Sequence, residues 1–595
     1  MGSASNRRKT PNAMISPSAP NSSFSLLLIE TGLGLVAVAT AFAFPHLLSQ
    51  MFRRCEAAFT RLARRKRVAC ATVGASAFLL RLALLPLFPA PLPFLPDDFS
   101  FLLAADTFTH GRLANPAPLM WAHFESVHVT VQPTYTSMYF PGPGLVLAAG
   151  KAFFGSPWVG LLLVTALMCA AICWALQAWL PPTWALLGGF LSVLRLGLFS
   201  YWINTFTGGA SLAALGGALV LGSFPRLTRT GRARYAVLLA LGISMLVLSR
   251  PYEGMLLCIP VAVALGYWIL RGKNRPPALV LLRQAALPLM LIAATLAWLG
   301  YYDYRAFGNP RTLPYTVDRT TYAIVPYYVW QPAHPLPAYT TLELRRFYTE
   351  REAHEFYLLH APNGVPSFYY RKLTTTLFFF AGMILLFPLI MFWRVFRDRR
   401  MRFFAWSLPL WTVGMGLGIY LIPHYLAPFT AAAYVLGVQA LRHLRAGSVG
   451  GAPVGRTFVR LTVTACVLMA GLRAFSGPLH LAPPQYPNNM WLDSWIGPGH
   501  FGAERAAVAD KLERIPGNHL VLVRYAPDHE PMDEWVYNDA NLSGSRIIWA
   551  SDLDARSNEE LMRFYNDRDV WLVQPDLDGG TLTPTAVSRA LLAAR

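Results

Sequence analysis

The chain has 595 residues, of which 54% are hydrophobic and 14% charged. A soluble protein of this length carries about a quarter charged residues, so the composition excludes an ordinary soluble protein and points to an integral membrane protein. The net charge of +20 is not a nucleic-acid footprint either: the bases sit in short clusters between apolar segments, the signature of cytoplasmic loops.

In chain order, the apolar run Phe24–Leu48 is long enough to span a bilayer and too long for a signal peptide, so it reads as an anchor. "RRCEAAFTRLARRKR" (Arg53 to Arg67) follows, with seven bases and one acid, and places its loop in the cytoplasm. The span Val68–Phe88 then delivers "PFLPDDFSFLLAADTFTHGRL" (Pro93 to Leu113), with its adjacent Asp97 and Asp98, to the opposite face. That loop continues to Gly142 with four acids and one Arg in all. The segment after the acid pair is amphipathic and aromatic, suited to lie along the membrane interface. Between Gly144 and Phe224 four apolar segments occur where the alternation of sides allows an odd number of crossings. One of them, Thr183–Ser200 being the candidate, is expected to be a half-helix or to lie in the interface.

Further spans are expected near Tyr235–Ser249, Glu253–Leu270, Leu282–Tyr301, Leu373–Trp393, Phe403–Ile422, Tyr425–Leu441 and Phe458–Ala474. Basic clusters at Arg226–Arg234, Arg271–Arg275, Arg394–Arg402 and Arg442–Arg460 put the intervening loops in the cytoplasm. By alternation, "RPYEG" (Arg250 to Gly254), the loop Asp303–Lys372, "PHY" (Pro423 to Tyr425) and the tail share the external face with the acid pair. The tail is acidic: from His480 onward there are 10 Lys+Arg against 17 Asp+Glu. Its apolar runs His519–Tyr525, Ser545–Ser551 and Asp569–Pro575 read as strands of a buried parallel sheet. Helices at Ala503–Arg514, Asn558–Asn566 and Thr585–Ala594 would cover that sheet. It carries neither a dinucleotide fingerprint nor a nucleophile–base pair, so a binding or structural role is expected.

The six cysteines lie in or beside apolar or basic stretches, and no disulfide framework is expected. Cys169 and Cys173 share a helix face with no acid or His beside them and read as packing rather than metal ligands. The expected fold is therefore an all-α polytopic membrane protein of about 11–13 transmembrane helices with a small C-terminal α/β domain. Residues 1–67 form an N-terminal tail, anchor and basic cytoplasmic loop. Residues 68–476 form a transmembrane domain with external loops 89–142 and 303–372, and residues 477–595 form an external α/β tail.

Two acids after a span can simply mark the membrane exit or cap a helix. Adjacent carboxylates also repel, which raises at least one pKa and suits a general base. An external Asp-Asp after an early span, followed by an interfacial helix, resembles the GT-C membrane glycosyltransferases. The passage resembles protein O-mannosyltransferases and the bacterial aminoarabinose-transferase-like group of glycosyltransferase family 39. "MYFPGPG" (Met138 to Gly144) resembles that group's aromatic-Pro-Pro re-entry motif, with Phe140 and Gly142 departing from it. "PHYLAP" (Pro423 to Pro428) resembles its Arg-Tyr-Leu-x-Pro motif, with His424 in the Arg position.

The resemblance implies an inverting transferase that moves one sugar from a polyprenyl-phosphate donor to a lipid, glycan or protein acceptor. The reaction would lie on the periplasmic or extracytoplasmic face of the inner (plasma) membrane, with no nucleic acid among its partners. Asp97 would deprotonate the acceptor, Asp98 would orient Asp97 or substitute for it, and Glu125 would support the site or accept a sugar hydroxyl. Arg250 is the first candidate for the lipid phosphate, followed by His424 and Tyr425. Tyr139, Tyr322 and the weaker Arg305 and Arg311 complete the binding set, and Arg81 and Arg195 are charges inside apolar segments. Arg81 is expected to pair with the acid cluster. No cofactor is required and no metal site is assigned, although Asp97, Asp98, Glu125, His123 and His128 include the donor types of a divalent metal. A lipid or glycan transporter and a non-catalytic glycan-assembly protein are the alternatives.

Overall fold

A backbone crossing lipid must satisfy its own hydrogen bonds, and helices do so within one segment. The computed structural model, which describes residues 22–272, 275–479, 481, 502–578 and 580–585, is accordingly dominated by helices up to Ala474. Among the described residues, six helices are long and apolar enough to cross a membrane: Leu26–Ala43, Pro157–Trp179, Ala210–Thr230, Pro251–Arg271, Ala278–Phe307 and Val454–Ala474. Counting the bent pair Gly364–Ala381 and Ile384–Arg397 as one span makes seven. The chain is a multi-pass membrane protein with a small α/β unit at its C-terminal end.

By that criterion the 11–13 expected crossings are not reached. Several expected spans are short helices, such as Pro141–Phe154, Pro182–Ser192, Ala233–Val247, Arg402–Leu417 and Thr430–Arg445. Lys66–Ala83 is a continuous helix that carries Lys66, Arg67 and Arg81, three charges in 18 residues. Pro182–Ser192 passes into a wider turn at Val193–Gly197, so the expected irregularity at 183–200 is a broken helix.

The expected span Leu373–Trp393 is also broken. Its two pieces meet at 105° across Gly382, whose φ of 57° lies in the left-handed region. Carbonyls at the break accept from Arg195: Nε donates to Phe379 O at 2.8 Å and Nη2 to Phe378 O, which also takes the capping bond from Gly382 N. A Cβ at position 382 would lie 2.4 Å from Arg195 Nη1, so the guanidinium occupies the space glycine leaves.

In the tail, His519–Val523 lies between Ile547–Ser551 and Asp569–Val573 and is parallel to both. Leu582–Pro584 closes the edge antiparallel to Asp569–Val573. The helices Ala503–Arg514 and Ala555–Phe564 accompany the sheet. The third expected helix, Thr585–Ala594, lies outside the described residues except for Thr585.

This unit leans on the first external loop. Leu520, Leu522, Ile548 and Val570 of the sheet share a core with Leu103, Phe124, Val129 and Tyr135. Tyr135 Oη donates to Asn538 O at 2.7 Å, and Ala540 N donates to Asp106 Oδ2 at 2.8 Å. The helix Pro96–Thr109, expected along the membrane interface, is instead largely buried between the helix Pro141–Phe154 and the tail. Its aromatic face meets protein: Phe99 stacks on Tyr537 at 4.6 Å.

Candidate active site

Pro96 opens the helix that carries the acid pair, and its fixed φ suits the first helical position. Both acids fall in the first turn, where the helix dipole favours negative charge. Neighbouring side chains diverge by about 100° around a helix of 3.6 residues per turn, so the two carboxylates serve different surroundings.

Asp98 turns inward and is fully buried. Its Oδ1 accepts from Phe206 N and Thr207 Oγ1, each at 2.8 Å, and its Oδ2 accepts from Phe94 N and Leu95 N, each at 3.4 Å. Burial pushes this carboxyl up to about 7 despite those donors, and the Asp97 charge adds to the rise. Its bonds tie the helix start to the loop at Phe206–Thr207. None of them goes to Asp97.

Asp97 faces the first loop and the re-entry segment. His128 Nδ1 lies 2.5 Å from Asp97 Oδ1, and Tyr139 Oη donates to the same oxygen. Both bonds land on Oδ1, leaving Oδ2 to another donor. His128 holds a left-handed φ of 66°, and its carbonyl accepts from Ser100 Oγ at 2.7 Å. Tyr139 is fixed by stacking on Phe101 at 4.2 Å.

Burial would raise Asp97, but the His128 charge and the two hydrogen bonds hold it below the usual carboxylate range. Burial would likewise lower His128, and Asp97, then Asp318 and Glu352, push it up instead. The pair is therefore an imidazolium facing a carboxylate.

A cation approaches from the far side of this cluster. Gly142 N donates to Leu248 O at 2.8 Å, and a Cβ at position 142 would lie 2.6 Å from that oxygen. Glycine here, where the resembled motif has proline, lets the turn before Arg250 dock on the re-entry segment. Arg250 is 5% exposed, and its guanidinium lies 4.5 Å from the Tyr425 ring and 4.0 Å from Glu253. Its Nε has no hydrogen-bond partner, an expensive state for a buried donor.

Tyr315 packs edge-on against Tyr139 at 5.7 Å and feels the Arg250 charge. Tyr425 feels both Arg250 and Asp97, so acid and guanidinium act on one buried patch. His424 Nδ1 lies 3.0 Å from Tyr201 Oη. Burial, then the Arg250 charge, hold His424 well below the usual imidazole value, which keeps it neutral.

Glu125 and Tyr322 are brought together, apart from Asp97. Tyr322 Oη donates to Glu125 Oε1 at 2.5 Å, and Thr340 Oγ1 donates to Oε2. Glu125 also lines a crevice with Glu343 of the long loop and His529, Asp533 and Glu534 of the tail. Arg305 is exposed, stacked on its own helix's Tyr301 at 5.9 Å, and Arg311 is likewise exposed. Arg81 does not reach the acid pair. Its donors go to Asn204 Oδ1, Phe88 O and Pro89 O, because the chain turns back over the end of its helix.

His123 is bound to Ser551 O at 2.9 Å, away from His128. With His123 and Glu125 engaged elsewhere and Asp98 turned inward, the five potential donors do not converge. Among the described residues no group of three or more His, Cys, Asp or Glu is disposed to hold a metal ion. The sequence offered His128 only as a metal donor, and it gave no reason to single out Asp318, Arg319 and Glu352. The signal present was "PYTVDRTTY" (Pro314 to Tyr322), a proline-started helix whose charges fall on its buried side.

No family model matches the chain, and no curated protein matches it by sequence. In fold it is similar to the Archaeoglobus fulgidus oligosaccharyltransferase solved with Zn and sulfate, with a TM-score of 0.44 and 13% identity. That alignment covers 84% of this chain and 67% of the other. ArnT from Cupriavidus metallidurans, bound to undecaprenyl phosphate, gives a TM-score of 0.45 at 13% identity over 88% of this chain and 94% of that one. The arabinofuranosyltransferase AftD from Mycobacteria gives 0.37 at 16% identity, over 86% of this chain and 36% of that one. All three are GT-C glycosyltransferases, the class that the sequence resembles. The likeness is one of outline, and no residue's role is taken from it.

Proposed function

We propose that the protein is an inverting glycosyltransferase that moves one sugar from a polyprenyl-phosphate donor to an acceptor on the external face of the membrane. The observation that carries this reading is the pairing, in one buried polar patch, of Asp97 with an uncommitted Oδ2 and Arg250 with an unpartnered Nε. A base and a cation across a short aromatic divide are what a displacement at a phosphate-bearing carbon needs.

In the proposed step the acceptor hydroxyl oxygen attacks C1 of the sugar, and the bond from C1 to the phosphate oxygen breaks with its electron pair. The hydroxyl proton passes to Asp97 Oδ2, and the lipid phosphate leaves against Arg250. A carboxylate held ionised by His128 is a weak base towards a free alcohol. It becomes competent as the attacking oxygen bonds to C1, because that oxygen then turns strongly acidic.

Tyr139 keeps Oδ1 occupied and aims Oδ2, while Asp98 braces the helix start that carries Asp97. Neutral His424 adds a hydrogen-bonding group rather than a second charge, so Arg250 carries most of the phosphate's stabilisation. The donor's lipid tail would enter from the bilayer. The acceptor would enter from the external side, where the crevice at Glu125 opens between the loops and the tail.

The test is turnover of purified, lipid-reconstituted protein with synthetic polyprenyl-phosphate monosaccharides and a mixed set of hydroxyl acceptors. Sugar transfer with inversion by wild type, and its loss in Asp97→Asn, is the expected result. Undiminished transfer by the variant removes Asp97 as the base. Failure of wild type with every donor favours a non-catalytic assembly role.

A further inference from the structure

Beside the acid pair lies a second buried polar cluster, built by the long external loop. The helix Pro314–Tyr322 supplies Asp318 and Arg319, which are 1% and 7% exposed. Glu352 follows the turn Phe347–Arg351. Tyr348 Oη donates to Asp318 Oδ1 at 3.0 Å, and Arg319 pairs with Glu352 Oε1 and donates to Val325 O. The Arg319 guanidinium sits 5.6 Å from the Tyr327 ring and 5.7 Å from the Tyr420 ring.

These contacts leave capacity unspent. Asp318 Oδ2, Glu352 Oε2 and Arg319 Nε are buried and without a hydrogen-bond partner, and the Tyr420 hydroxyl is directed at the Arg319 guanidinium. Buried polar atoms in native proteins are overwhelmingly paired, and one orphan already needs a reason. Three on neighbouring side chains, two acceptors and one donor, describe a surface waiting for a ligand that both donates and accepts.

The cluster adjoins the proposed reaction centre. Phe347 meets the His128 ring edge-on at 5.1 Å, and both Asp318 and Glu352 act on the His128 charge. Tyr348 stacks on Tyr322 at 5.6 Å and on Tyr339 at 6.3 Å, which fixes the position of the hydroxyl that aims Asp318.

Resting on the donor reading above, we propose that Asp318, Glu352, Arg319 and Tyr420 form the subsite that takes the hydroxyl groups of the transferred sugar, a neutral monosaccharide. Sugar hydroxyls donate to the two carboxylate oxygens and accept from Arg319 Nε. Two carboxylates against one guanidinium disfavour an acidic sugar. Tyr348 is a positioning residue, because it acts through Asp318.

The test uses the full chain in lipid nanodiscs with five probes. These are bare undecaprenyl phosphate and the same lipid phosphate carrying a neutral hexose, a neutral pentose, an amino sugar or a uronic acid. Wild type is expected to bind at least one neutral-sugar lipid about 10-fold or more tighter than the bare lipid, a margin in keeping with hydroxyl recognition by buried polar groups. Asp318→Asn and Glu352→Gln should each remove most of that margin while leaving the affinity for the bare lipid unchanged, which also reports that the variants are folded. Tyr348→Phe should reduce the margin by less.

Equal weakening of both lipids in the two carboxylate variants overturns the proposal and makes the cluster structural. Preference for the uronic-acid or amino-sugar lipid, or no preference over the bare lipid, overturns it as well. If wild type fails to bind even the bare lipid, the polyprenyl-phosphate reading falls first and the subsite falls with it.

Discussion

Arg81 and Arg250 are both buried arginines at the ends of helices, and they differ in how their donors are spent. Arg81 gives Nε and Nη2 to Asn204, Nη1 to Phe88 O and Nη2 again to Pro89 O, with Trp158 4.9 Å from its guanidinium. Arg250 leans on Tyr425, pairs loosely with Glu253 and keeps a donor in reserve. A buried cation whose bonds are spent on the protein closes a turn. One with a bond left over is free to receive a ligand. Burial alone does not separate the two, and hydrogen-bond accounting does.

The sharpest break concerns the acid opposite Arg250. Asp97→Asn should lower transfer by about 1,000-fold, within the range of a lost general base, and should also lower the thermal unfolding midpoint, because it leaves the His128 imidazolium without its carboxylate. Arg250→Ala should lower kcat/KM by about 100-fold, the scale of a lost charge stabiliser, and weaken the bare lipid phosphate. Arg81→Ala should act elsewhere, removing about 1–3 kcal/mol of stability by leaving its buried acceptors unpaired, read as lost folded yield in a detergent-melting assay. If the two arginine variants exchange these phenotypes, the distinction drawn between them is wrong.

Asp98→Asn should remove about 1–3 kcal/mol of stability, because its single amide oxygen can accept from Phe206 and Thr207 or from Phe94 and Leu95, but not from both pairs. Residual transfer in Asp97→Asn that disappears when Asp98→Asn is added would mean that Asp98 takes over the role of Asp97.

The pH dependence follows from the Asp97–His128 pair. His128 is raised, so its contribution is complete below its unfolded value of about 6.5 and is lost as pH climbs through the raised one. Asp97 is lowered, so its contribution is complete above its unfolded value of about 4 and is lost as pH falls through the lowered one. His128→Gln should therefore move the acid limb of the kcat profile upward. An unmoved acid limb would mean that His128 does not tune Asp97. Arg305→Ala, at an exposed position, is expected to leave transfer within about two-fold, since surface charges away from a site contribute little.

Much of the fold was legible because lipid and sheets impose strong rules. The apolar runs at His519, Ile547 and Asp569 read as buried parallel strands, and they are. The irregularity at Thr183–Ser200 followed from counting sides. Other features were not legible, for reasons of packing. The break at Gly382 depends on Arg195 arriving from nearly 190 residues away to bind the carbonyls beside it. The aromatic face of Pro96–Thr109 looks interfacial until a tail more than 400 residues later covers it.

At the site, sequence gathered Asp97, Tyr139, Arg250, His424 and Tyr425 through their shared side of the membrane. The geometry groups these five, leaves Arg305 outside and pairs Glu125 with Tyr322. Asp318 and Glu352 sit among ordinary loop charges, and only their burial sets them apart.

The contacts of Tyr135 with Asn538, Asp106 with Ala540 and His123 with Ser551 have a consequence for biosynthesis. The loop bearing the acid pair emerges from the ribosome early, yet the surface that finishes its packing follows more than 400 residues later. A polypeptide arrested before residue 519 would own every group proposed for the reaction and still lack the brace that holds them in register. Competence would thus wait on contacts made more than 400 residues after the acid pair.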